Sequence, residues 1–332
     1  MDEFALCPQD VGVILTYRCH SGCAHCIYNC GPRREKTAMS AEVLRQALEA
    51  IATWPQPPQI HLTGGEPFLH FDLLVEGARV AAKLGIAAYV ETSAAWCTDY
   101  DQALEQFSTL KAAGLQAVLI SCSPFHAEHI PLVRTVRAAR AAIEVFGAHR
   151  VTVYQAQFLD LMRQFDQQHP VPLTRYEETF GVEKAYQILW LGFGLISGGR
   201  SSYRLGHLVP KQPAEAFAHA TCANSLLYAQ HSHFDLHGHY VPGFCGGLTI
   251  GSWHDLPQML ADFQAGQYPP LIALLVERGP YGLFELARDD YGYPPPPDGY
   301  AGKCHLCVDV RRHLIQAGTW QELAPSVFYE HL

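Results

Sequence analysis

The chain alternates short apolar runs with longer stretches whose apolar positions recur every three or four residues. Residues 11–15 read as a first strand. Ser40 then opens SAEVLRQALEAIATW, with a hydroxyl at the N-cap, Glu42 in the first turn and apolar residues at helical spacing. Pro55, Pro57 and Pro58 end that helix. Residues 59–62 read as strand 2, and 72–84 as a helix closed by Gly85. The alternation continues with a strand over 86–91, a helix over 101–113 closed by Gly114, and a strand over 115–121. A helix over 128–146 ends at Gly147, and 150–155 read as strand 5. After a helix and a looser region, 185–196 are expected to hold strand 6, which runs into SGGR at 197–200. Such alternation implies parallel strands joined by right-handed crossovers. The loops at the C-terminal strand ends then share one edge, where such sheets place their chemistry. Residues 16–30, 63–67, Thr92 with Ser93, 121–126 and 197–200 all fall there.

At 332 residues the chain can bury a sizeable core, as one large domain plus a smaller one. The expected division is a lead-in over 1–10, a barrel-like domain over 11–210 and a C-terminal domain over 211–332. The lead-in leaves no room for a separate peptide-recognition domain ahead of strand 1. No apolar run reaches the ~18 residues of a membrane span, and the N-terminus, MDEFALCPQD, lacks a signal-peptide pattern. A cytoplasmic protein without a membrane partner is therefore expected. The net charge of −9 argues against a nucleic-acid backbone as the main partner. Eleven cysteines without an export signal point to metal or redox use rather than to disulfides.

Residues 16–30, TYRCHSGCAHCIYNC, place Cys19, Cys23 and Cys26 in a C-x3-C-x2-C array. Three thiolates suit a [4Fe-4S] cluster whose fourth iron has no protein ligand; spacings of this kind also serve zinc. Strand 2 leads into TGGEP at 63–67. Two glycines let the backbone approach a ligand closely, and a carboxylate pairs with an ammonium. Together the two motifs resemble the radical S-adenosylmethionine (radical SAM) superfamily. That resemblance implies an α/β fold, a partial (β/α)6 TIM barrel, with the three cysteines holding a [4Fe-4S] cluster and the fourth iron chelated by SAM. It implies that Gly64, Gly65 and Glu66 form the SAM-amine site. His25 would stand near the adenine, where the family usually has an aromatic residue, and Thr92 and Ser93 would be polar residues near SAM. Arg200, in the SGGR stretch, resembles the glycine–arginine motif that ends the barrel in several members. An electron donor such as flavodoxin or ferredoxin is the implied protein partner.

At the exit of strand 4, Ser121 and Ser123 alternate along the chain. They read as SAM ribose contacts or as turn-capping residues, and His126 as a substrate contact or part of the same turn. Cys122 and Cys97 read as hydrogen-atom donors or as small buried hydrophobes. Further on, Cys222, Cys245, Cys304 and Cys307 follow the order C-x15-G-x6-C, a gap of 58, then C-x2-C. This resembles the twitch domain, the shortened SPASM extension of radical SAM enzymes, and implies a small C-terminal α+β domain with an auxiliary [4Fe-4S] cluster. The glycine-to-cysteine gap departs from the family's usual four residues, and four cysteines also suit structural zinc. His231, His233, His237 and His239, at spacings of two, would lie in pairs on one face of a strand with Gly238 in the turn. They read as a metal site or as pocket-lining or exposed residues. The prolines of 294–297 form a stiff loop leading to Cys304, and 308–315 read as a closing helix. The function expected is that of a radical SAM oxidoreductase or maturase acting on a small-molecule or peptide substrate. The reading from another class is a non-catalytic iron–sulfur or zinc scaffold.

Overall fold

β1 (Asp10–Ile14) is buried along its whole length, as an apolar strand with both faces covered must be. It belongs to the first of two compact units into which the computed structural model divides the chain. This unit comprises Asp10–Cys23 and Cys30–Leu189; the second comprises Met1–Gln9, Ala24–Asn29 and Trp190–Leu332. Residues 5–332 are described, and residues 1–4 of the expected lead-in lie outside them. Among the described residues no helix is long and apolar enough to cross a membrane.

In the first unit, α1 (Ala41–Ala52) follows β1 and is capped by Ser40, whose side chain accepts from the Val43 amide. β2 (Gln59–Thr63), α2 (Phe71–Leu84), β3 (Ala88–Thr92), α3 (Tyr100–Ala112) and β4 (Ala117–Ser121) continue the alternation. α2 ends on Gly85, at φ 74°, the left-handed conformation that glycine adopts freely. After α4 (Pro124–Ala127) and α5 (Leu132–Phe146), β5 (Val151–Tyr154) closes the run. The five strands pair in parallel, in the order β5-β4-β3-β2-β1. Their register lines up Val13, Leu62, Val90, Val118 and Val151 in one row facing the helices. Gly77 of α2 sits over Leu62, where a Cβ would already touch both Leu62 methyls.

Two expectations are corrected here. The helix expected over 128–146 begins only at Leu132, because Pro131 has no N–H to donate within a helix and stands at the N-cap instead. The sixth strand expected over 185–196 does not form. After α6 (Leu159–Met162), α7 (Thr174–Phe180) and α8 (Val182–Tyr186), residues Gln187–Gly192 make a π-helical turn. Burial falls on Ala185, Leu189 and Trp190 while Leu191 is exposed, which is helical spacing rather than alternation. A short apolar run cannot be assigned to strand or helix by periodicity alone. The first unit therefore has five parallel strands, an open sheet.

The second unit is α+β. α9 (Ser201–Leu205) and α10 (Ala223–Leu226) precede an antiparallel meander of β6 (His231–Asp235), β7 (His239–Pro242) and β8 (Gly251–Ser252). The β6–β7 turn holds Gly238 at φ 91°, as the histidine spacing implied. α11 (Leu256–Gln264), α12 (Pro270–Glu277), α13 (Gly279–Tyr291) and α14 (Lys303–Leu314) complete the unit. α14 starts earlier than expected and takes in Cys304 and Cys307, so these cysteines lie on a helix and not on the proline loop before it.

An aromatic cluster fixes the β2 and β3 exits of the first unit. Phe68 stacks on Trp96 at 4.0 Å, and both meet Phe107 edge-on. Phe107 is fully buried. Phe107→Ala is expected to destabilise the protein by about 3–5 kcal/mol, read from the shift of the urea midpoint at unchanged slope; a change below about 1 kcal/mol would mean that the cluster contributes little to holding the exits.

Candidate functional site

The parallel register brings the C-terminal ends of β1 to β4 to one edge of the first unit. The 63–67 turn leaves β2 there and lies directly on the backbone that leaves β1. The Gly65 amide donates to the Thr16 carbonyl (2.7 Å), and the Glu66 amide donates to the Arg18 carbonyl (3.0 Å). A Cβ on Gly64, at φ 139°, would overlap the Thr16 carbonyl, and one on Gly65 would overlap that of Arg18. Both glycines are thus demanded by the cysteine-bearing segment itself. Cys19 and Cys23 are buried in this unit, and the Cys19 sulfur accepts from the Ser21 amide at 3.4 Å. An N–H aimed at sulfur favours thiolate, as an iron ligand requires.

Glu66 is fully buried. One carboxylate oxygen accepts from Thr92 Oγ1 (2.8 Å) and the Phe68 amide (3.3 Å). The other accepts from the Ser93 amide (3.1 Å) and Ser93 Oγ (2.5 Å). Burial pushes its carboxyl above the usual range, against these hydrogen bonds. Glu66 therefore ties the glycine turn to the β3 exit, and Thr92 and Ser93, expected near SAM, direct their hydroxyls at it. Thr92 Oγ1 also accepts from the Ala94 amide and Trp96 Nε1.

At the β4 exit, Ser121 Oγ donates to Glu91 at 3.3 Å. Ser123 Oγ lies 2.8 Å from His126 Nδ1. Cys122 is buried, and desolvation pushes its thiol up to about 12. Cys97 is likewise buried and raised to about 11. Both stay protonated S–H groups at neutral pH. The Tyr176 hydroxyl near Cys122 is buried and finds no hydrogen-bond partner among the described residues.

Cys26 belongs to the second unit, with its neighbours Ala24–Asn29. His25 there meets Phe193 edge-on at 5.0 Å. The Arg200 amide donates to the Cys26 carbonyl (3.1 Å), and its guanidinium grips Asn29 Oδ1 at 2.8 and 3.1 Å. A Cβ on Gly199 would stand 2.6 Å from the Cys26 carbonyl oxygen. The SGGR stretch thus packs against the third cysteine, and Arg200 acts on Asn29. The Tyr28 hydroxyl lies 2.8 Å from His233 Nδ1, and the Nε2 atoms of His233 and His231 are 3.3 Å apart. His239 Nδ1 instead binds buried Asp235 at 3.0 Å, so the four histidines separate into two pairs with different partners.

The structure gathers the other four cysteines. Cys222 precedes α10, Cys245 follows β7, and Cys304 and Cys307 occupy the first turns of α14 on one face. Burial raises the thiols of Cys222 (about 12) and Cys304 (about 11), and the neighbouring cysteine charges add to it. Burial also pushes Cys245 up, with Cys304, Cys222 and Cys307 adding to the effect. Four partly buried cysteines close enough to repel one another as thiolates suit a cationic metal centre, whose binding displaces their protons. Arg311, also on α14, is 2% exposed, and its Nε has no hydrogen-bond partner among the described residues. A buried cation beside these sulfurs fits an anionic thiolate–metal assembly. Asp309 anchors the same helix, accepting from Tyr203 (2.8 Å) and Tyr293 (2.5 Å).

Sequence reasoning missed the polar face of the sheet. Asp10, His61, Tyr89, Glu91 and Ser121 alternate with the apolar row and lie opposite it. His61 Nδ1 lies 2.5 Å from Asp10, and Tyr89 donates to Asp10 at 3.0 Å. Period-two alternation within 59–63 and 88–92 was the available signal. Nothing in the sequence marked Tyr28.

Residues 13–156 match the family model described as the radical SAM superfamily. The matched segment includes the cysteine array and the GGE turn. Members of that superfamily are enzymes that use SAM and a [4Fe-4S] cluster. No curated protein matches the chain. Among solved structures, it is similar to BtrN in complex with AdoMet and 2-DOIA, at 12% identity over 82% of this chain and 89% of that one, with a TM-score of 0.44. It is similar to native anSMEcpe with bound AdoMet, at 12% identity over 93% and 96%, with a TM-score of 0.46. Methylornithine synthase (PylB) matches at 16% identity over 41% of each chain, with a TM-score of 0.31.

His126 generates a pH prediction. Burial, with His129 nearby, lowers its pKa from 6.5 to about 4. A group held neutral by the fold contributes stability that is complete above its unfolded value and is lost as pH falls through the folded one. Stability is expected to fall between pH 6.5 and about 4, and His126→Asn to flatten that loss. Urea midpoints measured against pH check this; identical slopes for the two proteins would count against a neutral buried His126.

Proposed function

We propose that the chain is a radical SAM enzyme with a [4Fe-4S] cluster on Cys19, Cys23 and Cys26 and an auxiliary [4Fe-4S] cluster on Cys222, Cys245, Cys304 and Cys307. The observation that carries the reading is the union of the two motifs: the GGE turn is hydrogen-bonded to residues 16–18 across a gap that admits no side chain. When bound, the reduced cluster and SAM supply a 5′-deoxyadenosyl radical that removes a hydrogen atom from an unactivated position of the substrate. Gly64 and Gly65 set the turn at the height of the first cluster ligand. Glu66 holds it there through Thr92 and Ser93 and acts as a positioning residue. His126, at the β4 exit, contacts substrate, and Cys122 presents an S–H group beside it.

The substrate is a small molecule or a peptide, and a one-electron donor such as flavodoxin or ferredoxin serves as the reductant. The protein works in the cytoplasm. With four protein ligands, every iron of the auxiliary cluster is occupied, which suits an electron acceptor rather than a substrate-binding Lewis acid. The reaction is then an oxidation or a cross-link, and the C-terminal unit acts as a twitch-like domain.

Anaerobic reconstitution with iron and sulfide is expected to give about eight irons per chain and a reduced EPR signal that changes on adding SAM. Cys304→Ala with Cys307→Ala is expected to leave about four irons and keep the SAM-sensitive signal. About four irons plus one zinc in the unaltered protein would remove the auxiliary cluster from the proposal. Glu66→Ala, which frees the glycine turn, is expected to slow reductive SAM cleavage ~100-fold. A variant that releases 5′-deoxyadenosine at the wild-type rate would falsify the role given to Glu66.

A further inference from the structure

Arg311 lies four residues after Cys307 and seven after Cys304, on the same face of α14. Nη1 donates to the Gly246 carbonyl (3.1 Å) and to the Tyr329 hydroxyl (3.0 Å), and Tyr329 donates onward to the Gly247 carbonyl. The guanidinium carbon stands 5.8 Å from the Tyr329 ring centre. Its Nε is buried and has no hydrogen-bond partner among the described residues. Among the described residues no carboxylate pairs with it. A guanidinium cannot shed its proton in a protein, so its buried charge needs an anionic neighbour. Among the described residues, the groups on its helix face that become anionic at neutral pH are the sulfurs of Cys304 and Cys307, once they ligate metal.

We propose that Arg311 tunes the auxiliary cluster, its buried guanidinium on the helix face of Cys304 and Cys307 and beside the Cys245–Gly246 backbone raising the cluster's reduction potential. This rests on the reading of the four cysteines as an iron–sulfur site. Reduction takes up one electron and adds one negative charge to the cluster and its thiolates. A fixed buried cation stabilises that reduced form more than the oxidised one. Lys303, the other cation near these sulfurs, is only half-buried and directs its ammonium to the Thr221 carbonyl (3.0 Å), so water screens it.

The test is a potentiometric titration followed by EPR. It uses the full chain carrying Cys19→Ala, Cys23→Ala and Cys26→Ala, so that only the auxiliary cluster contributes. Arg311→Met is expected to disfavour the reduced form at least tenfold, a midpoint about 59 mV more negative for a one-electron couple. Arg311→Lys, which keeps the charge, is expected to recover at least half of that shift, and Lys303→Gln to move the midpoint much less than Arg311→Met. If Arg311→Met fails to assemble the cluster, Arg311→Gln carries the same expectation, since it removes the charge and keeps a polar side chain. A purely structural role predicts the opposite sign, because loosened packing admits water, which stabilises the more highly charged reduced state. An unmoved or more positive midpoint in the charge-removing variant overturns the inference alone. An unaltered protein with no second iron cluster overturns both the inference and the reading beneath it.

Discussion

At Gly64 and Gly65 there is no space for a Cβ beside residues 16–18, and two amide-to-carbonyl hydrogen bonds lock the segments together. The position of the glycine turn relative to Cys19 depends on this contact. Parallel strands β1 and β2 deliver both segments to the same edge, in a register that pairs Ile14 with Thr63. The Phe68–Trp96–Phe107 cluster then holds the far side of the turn. Glu66 joins the two supports, because its carboxylate receives donors from both Phe68 and the Thr92–Ser93 exit. The site is therefore built chiefly of backbone, with side chains chosen to stabilise the backbone's path.

Buried charge follows one rule in both units. Glu66 is tolerable because four donors surround its carboxylate. Asp235 is tolerable because His239 and backbone amides at the β6–β7 turn hold it below the usual carboxylate range despite its burial. Arg311 has carbonyl and hydroxyl acceptors but no carboxylate, and it lies among sulfurs. The difference separates carboxylates surrounded by their own donors from a cation that no carboxylate pairs among the described residues. Asp309, with Tyr203 and Tyr293, anchors the helix that carries it.

Much of the fold was legible because each strand of the first unit obeys a local rule. Ser40 caps α1, Gly85 closes α2, and the apolar runs of β1 to β5 fall within a residue or two of their observed bounds. The failures share a cause. Residues 185–196 are apolar all round, so strand and helix fit them equally until neighbours decide which side chains are buried. Residues 303–307 begin α14 with Leu306 as their one aliphatic residue, too little to show a helical apolar pattern. Thr92 and Ser93 were expected near SAM, and their hydrogen bonds to Glu66 were not foreseen.

By itself, the sequence determined the chemistry available: three cysteines at cluster spacing, a glycine–glycine–glutamate turn after a strand, and four more cysteines downstream. Residue type and short-range spacing carry that information, because ligand identity and turn geometry are local. Only the tertiary structure decided what Glu66 faces, that His233 meets Tyr28 while His239 meets Asp235, and that Arg311 is buried against Gly246 and Tyr329. Those facts depend on contacts between residues tens to hundreds of positions apart. Such contacts are set by how whole elements pack, and no periodicity within a single element records them.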